Sequence, residues 1–260
     1  MELGLGGRRA VVTGGSKGIG LAVAAELARE GAAVSICARN PQEVAAAAEQ
    51  LRAHGGTVHE QVVDVTDSAQ VSAYVEAAAA ALGGIDILVN NAGAAHPGTF
   101  ETLTDDDWHG DLDVKLFSQI RCTRAALPHL RESAAARVIN INAIYARYPD
   151  PKFFATTVNR AACLNLNKAL ALEFGPEGIL VNSVNIGFVV TPQWENIRSK
   201  RAPELSQQEF FDNWAAAEVP LGRFGDVDEV SGIVAFLAGD RASYITGASI
   251  DVAGGMGKYV

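Results

Sequence analysis

Cysteine is scarce: the chain of 260 residues has three, Cys37, Cys122 and Cys163. They are scattered through apolar segments. They read as reduced core thiols and exclude a disulfide scaffold or a zinc framework. The five histidines show no ligand spacing with each other or with the cysteines, so no metal centre is expected. Basic charge is in deficit, with 21 Lys and Arg against 30 Asp and Glu, a net charge of −9. That balance argues against a nucleic-acid partner. No apolar run approaches the roughly 18 residues of a membrane span. Nothing between Met1 and Gly7 reads as a signal peptide. A cytoplasmic protein with no membrane partner is the expectation. Repeats, low-complexity tracts and linkers are absent too, so residues 1–260 are read as a single domain.

Short β-rich runs alternate with alanine-rich helical stretches. Strands are expected at Arg9–Val12, Ala33–Cys37, Val58–Val63, Ile85–Val89, Arg137–Ile141, Leu180–Val184 and Ser249–Val252. Helices fill the gaps, as at Ile19–Glu30, Pro41–His54 and Ser68–Leu82, several of them closed by glycine. Strands joined through helices need crossover connections. The fold class is therefore α/β: a doubly wound, Rossmann-type parallel sheet of about seven strands with helices on both faces. One stretch breaks the rhythm. Thr191 to Val219 is rich in charge and aromatics and precedes the last helix and strand. It is expected to be a lid over a substrate, with a plain surface excursion as the alternative.

The first strand runs into Thr13-Gly14-Gly15-Ser16-Lys17-Gly18-Ile19-Gly20 and then a helix. Glycines let the backbone turn tightly and approach a pyrophosphate, and the helix N-terminus offers free N–H groups. Together with Asn90-Asn91-Ala92-Gly93 after strand four, this resembles the short-chain dehydrogenase/reductase superfamily. The likeness extends through Asp64-Val65, Trp108, Ala169 to Glu173, Val181 to Val184, Thr191, Pro220 to Arg223 and Ile245-Thr246-Gly247. It implies a nicotinamide dinucleotide held by Gly14, Ser16, Gly18, Ile19, Gly20, Val65, Ala92 and Gly93. It further implies that Asp64 bonds the adenine, Asn90 sits at the adenine ribose, and Thr191 contacts the nicotinamide carboxamide. The family's proline before Gly187 is Ile186 here. The family also pairs two helices across a two-fold axis, so a homotetramer or homodimer is expected. Cys163, Leu166, Leu170 and Phe174 share a helical spacing that suits such a face or, alternatively, the sheet.

An NAD site usually ends strand two with a carboxylate for the ribose 2′-hydroxyl. Here that position is Ala38, followed by Arg39, with Lys17 in the glycine loop. Two cations and no carboxylate suit a 2′-phosphate, so the expected cofactor is NADP(H).

The catalytic positions depart from the family, which uses a tyrosine, a lysine four residues later, a serine and an asparagine. The run Arg160 to Glu173 sets the frame. It puts Arg160 at the lysine position, Thr156 at the tyrosine, Ala143 at the serine and Lys115 at the asparagine. A literal Tyr148-x-x-x-Lys152 exists, but Pro149 or Pro151 would break the helical turn that brings i and i+4 together. Threonine does not ionise near neutrality, arginine is no base, and alanine offers no donor.

Ionisable residues map near the missing groups: Lys115, Arg160, Tyr145 two residues past Ala143, and His96 after Gly93. Tyr145 is the expected proton donor, its phenol lowered by Lys115 and Arg160. Each has a plainer reading. Lys115 pairs with Asp111 one turn back, Tyr145 is a pocket wall, and His96 is a loop residue. Two functions follow. One is an NADP(H)-dependent oxidoreductase acting on a small carbonyl or hydroxyl substrate through a rebuilt proton relay, or an enzyme of elimination or cyclisation in the same cleft. The other is a nucleotide-binding pseudoenzyme.

Overall fold

The computed structural model describes residues 2–257. Its elements run β1 (Arg9–Thr13), α1 (Gly18–Arg29), β2 (Ala33–Ala38), α2 (Pro41–Arg52), β3 (Val58–Val62), α3 (Ser68–Leu82) and β4 (Ile87–Asn90). The second half adds α4 (Asp105–Leu112), α5 (Ser118–Arg131), β5 (Arg137–Ala143), α6 (Phe154–Phe174), β6 (Leu180–Ile186), α7 (Pro192–Arg201), α8 (Gln207–Glu218), α9 (Val227–Ala238) and β7 (Ser249–Val252).

The local chemistry explains the boundaries. Asn40 and Asp67 cap α2 and α3, each accepting from two amides of the first turn. Pro41 sits at the start of α2, where its missing N–H costs nothing. Gly83 ends α3 with φ of 81°, a left-handed conformation a side chain would resist.

The seven strands lie in the order β3-β2-β1-β4-β5-β6-β7, and every pair is parallel. The chain works outward from β1 to β3, then returns to place β4 on the other side of β1. The sheet therefore has a switch point between β1 and β4, where a crevice opens beyond the carboxyl ends of the strands. Both faces are covered. Val23, Leu27 and Leu51 pack on one side with Val230 and Val234. Tyr74, Leu88, Leu130 and Val138 pack on the other. Each such aliphatic side chain removed from water contributes about 1.5–3 kcal/mol, which holds the strand ends in register.

Helix α6 begins at Phe154, so Thr156 lies within its first turn. Two expectations change. Strand β5 runs to Ala143, and Tyr145 lies in a short 3-10 turn, Ile144–Ala146, so strand alternation does not aim it. The stripe proposed for a subunit face turns inward: Cys163 and Phe174 are buried in their own chain, and Leu170 packs against the same core. The outward side of α6 carries Val158 and Leu172 instead.

The stretch after Thr191 is structured. It holds α7 and α8, the latter opened by a reciprocal Ser206–Glu209 cap. Trp194, Phe210 and Phe211 join Phe188, Phe224 and Met256 in a third apolar cluster beside the crevice. Among the described residues, no helix is long and apolar enough to cross a membrane.

Candidate active site

A cavity of about 610 Å³ opens over the carboxyl edge of the sheet. It runs from Arg39 and Asp64 at one end to Lys115, Tyr145 and Arg160 at the other.

The glycine loop forms its floor. Gly14 has φ of 65°, and a Cβ there would lie 3.0 Å from the Ala92 Cα. A Cβ on Gly20 would run into the Gly14 carbonyl. The loop is stapled to β4 by Asn91, whose Nδ2 donates to the carbonyls of Thr13 and Gly14, both at 3.0 Å. In return Thr13 Oγ1 accepts from the amides of Asn91 and Ala92. Ser16, Lys17, Gly18 and Ile19 line the cavity where α1 begins, so its positive end faces inward. Thr191, the residue before α7, also lines it.

Asn90 does not line the cavity. It is buried, and its Nδ2 donates to Thr123 Oγ1 at 3.1 Å and Asn140 Oδ1 at 2.9 Å. Its side chain ties β4 to β5, because strand alternation turns it into the α3–α5 layer. That differs from the ribose contact the resemblance implied. Asp64 does line it, as does Val65. Burial works against the Asp64 charge, but two bonds from Thr66 and the charge of Arg39 outweigh it and hold the carboxyl below its ordinary range.

The corner at Ala38 holds Lys17 and Arg39 as expected, but a carboxylate as well. Glu43, in the first turn of α2, pairs with Lys17 at 2.7 Å. Glu43 lies five positions after Ala38, and only the fold of the β2–α2 turn brings it back over the cavity.

At the far end, Lys115 sits within a five-residue π-helical segment, Asp113–Phe117, between α4 and α5. Such a wide turn re-aims the side chains it carries. The Lys115 ammonium is 1 % exposed and contacts Asp111 in a short ion pair. It also donates to Thr156 Oγ1 at 3.2 Å. Asp111 in turn accepts from Asn159 Nδ2 at 2.8 Å. Burial pushes the Lys115 ammonium below the ordinary lysine range, and the Arg160 guanidinium adds to this. The touching carboxylate of Asp111 pulls the other way.

Arg160 is buried, and one guanidinium nitrogen donates to the Ile141 carbonyl at 2.8 Å. Its Nε has no partner. Another nitrogen lies 3.0 Å from where a Gly93 Cβ would be, so Gly93 leaves the guanidinium room beside the cavity. Ala143 is present in the wall and supplies no donor.

The cations do not act on Tyr145 as expected. Its ring stacks on Phe153 at 5.3 Å, and burial raises the phenol well above its ordinary value. The charges that reach it are carboxylates, Asp150 and Glu218, which raise it further. His96 is set apart as well. Its ring faces Asp107 at 3.2 Å on the surface, and only its backbone reaches the site: the amide donates to Thr156 Oγ1 at 3.3 Å, and the carbonyl accepts from that hydroxyl at 3.5 Å.

The residues suit a dinucleotide. A glycine cradle that a Cβ would fill meets the positive end of α1, and an unpartnered buried guanidinium nitrogen waits at the opposite end. With this fold and site, the chain belongs to the short-chain dehydrogenase/reductase superfamily. The profile of the family described as Enoyl-(Acyl carrier protein) reductase matches residues 14–257. The chain is 37% identical over 255 residues to the ketoacyl reductase of the monensin polyketide synthase from Streptomyces virginiae, covering 97% of this chain and 98% of that one. It is 39% identical to a short chain oxidoreductase of Pseudomonas aeruginosa PAO1 described as containing an atypical catalytic center, with a TM-score of 0.93 over 99% of this chain and 100% of that one. L-sorbose reductase from Gluconobacter frateurii, solved with NADPH and L-sorbose, is 32% identical, with a TM-score of 0.96 and full coverage of both chains.

Proposed function

We propose that this protein is an NADP(H)-dependent oxidoreductase that interconverts a small carbonyl compound and its alcohol, with Lys115 as the proton store and Thr156 as the relay. The observation that carries this is the buried contact of Lys115 Nζ with Thr156 Oγ1 at 3.2 Å, in the wall of the same cavity. The NADPH of the sorbose reductase complex, and the NADPH-bound form of the Pseudomonas oxidoreductase at 40% identity, support the cofactor.

Bound NADPH supplies hydride. The chain's own residues do the rest. Arg39 and Lys17 hold the 2′-phosphate, and the start of α1 faces the pyrophosphate. Arg160, which lines the cavity at its far end, would meet the nicotinamide ribose. Thr191 takes the carboxamide. In reduction, Thr156 Oγ1 gives its proton to the substrate oxygen and recovers one from Lys115 Nζ. Threonine never has to ionise, because both transfers occur along one hydrogen-bonded line. Lys115 finishes neutral beside Asp111, and its burial favours the neutral amine. Tyr145, held neutral by burial, is a wall of the cavity and not a base.

Stopped-flow oxidation of bound NADPH against a panel of small aldehydes and ketones tests this reading. Turnover with at least one is expected. Tight NADPH binding with no oxidation by any of them makes the protein a nucleotide-binding pseudoenzyme.

A further inference from the structure

The corner that meets the adenosine ribose contains both signs of charge. Lys17 follows the tight turn of the glycine loop, and Glu43 lies in the first turn of α2. Their side chains meet at 2.7 Å, and the second Glu43 oxygen lies 3.4 Å from Ser16 Oγ. The position of Glu43 is built: Asn40 caps the helix and accepts from the Glu43 amide at 3.1 Å. Ser16, Lys17, Arg39 and Glu43 all line the cavity.

A ribose 2′-phosphate and the Glu43 carboxylate would both take Lys17 as a partner. They would also repel each other. A 2′-hydroxyl, by contrast, can donate to a carboxylate, which is how dinucleotide sites favour NAD(H). We propose that Glu43 sets the coenzyme ratio of this protein: it competes with the 2′-phosphate for Lys17 and accepts the 2′-hydroxyl when no phosphate is present. The inference rests on the NADP(H) reading above. Glu43 is a positioning residue toward NADPH, acting through Lys17, and a direct ligand toward NADH.

The pair is a brake and not a lock. Its side chains are 55% and 36% exposed, so solvent screens it. An exposed ion pair shifts an equilibrium by at most about fivefold. Lys17 can therefore leave Glu43 for a phosphate, and Arg39 remains at the same corner as a second cation.

Equilibrium fluorescence titration of NADPH and NADH against the full chain tests this with no turnover required. Glu43→Gln keeps the size of the side chain and removes its charge. It is expected to tighten NADPH by about 2–5-fold and to weaken NADH by about 2–5-fold. In a Lys17→Met background the part of the NADPH gain that comes from freeing Lys17 should be lost, leaving only what the direct repulsion between Glu43 and the phosphate contributes. A merely structural role would move both coenzymes in the same direction. An unchanged NADPH-to-NADH ratio in Glu43→Gln, or equal changes for both, overturns the inference while leaving NADP(H) binding intact. A wild-type chain that binds neither dinucleotide overturns the cofactor reading and this inference together.

Discussion

Lys115 and Thr156 lie 41 residues apart in sequence and meet at 3.2 Å, one from a π-helical segment and one from the first turn of α6. The contact joins two replaced positions of the catalytic set into one hydrogen-bonded line. Behind it, Asp111 compensates the buried ammonium.

That compensation has a stability consequence. Breaking a buried ion pair from one side leaves the other charge stranded, at a cost of about 3–5 kcal/mol, whereas replacing both partners is often close to neutral. Lys115→Met and Asp111→Asn alone should each lower urea stability by about that amount. The double variant should recover most of the loss. Additive losses would show that the two side chains do not act as a pair.

Tyr145 and His96 are expected to matter little to proton transfer. The phenol is pushed up by burial and by carboxylates, and the imidazole faces Asp107 outside the cavity wall. Tyr145→Phe and His96→Ala should each reduce turnover less than about tenfold, below the 10²–10⁴ of a lost general acid. A loss of that larger size in Tyr145→Phe would make the phenol the donor.

Cofactor affinity should divide between the two ends of the cavity. NADPH is expected to bind about tenfold tighter than NADH, a difference of about 1.4 kcal/mol. Arg39→Ala should erase most of that preference. Arg160→Ala should weaken both dinucleotides alike, because its partner is the ribose common to them. Titration by fluorescence reads all three.

Self-association should use the outward side of α6 and the neighbouring π-helical segment. Leu172 is 70% exposed, Val158 46% and Phe117 43%. Light scattering at micromolar concentration is expected to give a dimer or tetramer, and Leu172→Glu to shift it toward monomer. A wild-type monomer would remove this expectation.

The architecture was legible because it rests on local signals. Alternation of apolar runs with helical spacing marked seven strands, and Asn40, Asp67 and Gly83 punctuate the helices by short-range chemistry. The glycine loop was equally plain, since a turn of that kind has few other uses. The site was half legible. The Asp111–Lys115 spacing was visible as an i, i+4 pair, and the resemblance put Lys115 and Thr156 at positions of one catalytic set, but sequence carries no sign that Asn159 closes on Asp111 from α6. Glu43 was missed for the same reason: its place over the cavity comes from the path of the β2–α2 turn. The stripe through Cys163 and Phe174 was ambiguous because helical periodicity reports an apolar side but not what covers it.

The most direct test is the single-turnover rate of NADPH oxidation by a competent carbonyl substrate, followed across pH in the wild type and in Lys115→Met. Reduction needs the charged ammonium. It should be fastest at low pH and decline as pH rises through the Lys115 pKa, which burial places below the ~10.4 of a free lysine. Alcohol oxidation needs the neutral amine and should show the opposite limb. Lys115→Met should be slower by about 10²–10⁴ and should lose this pH dependence. A Lys115→Met protein that keeps both the wild-type rate and the wild-type profile would contradict the account.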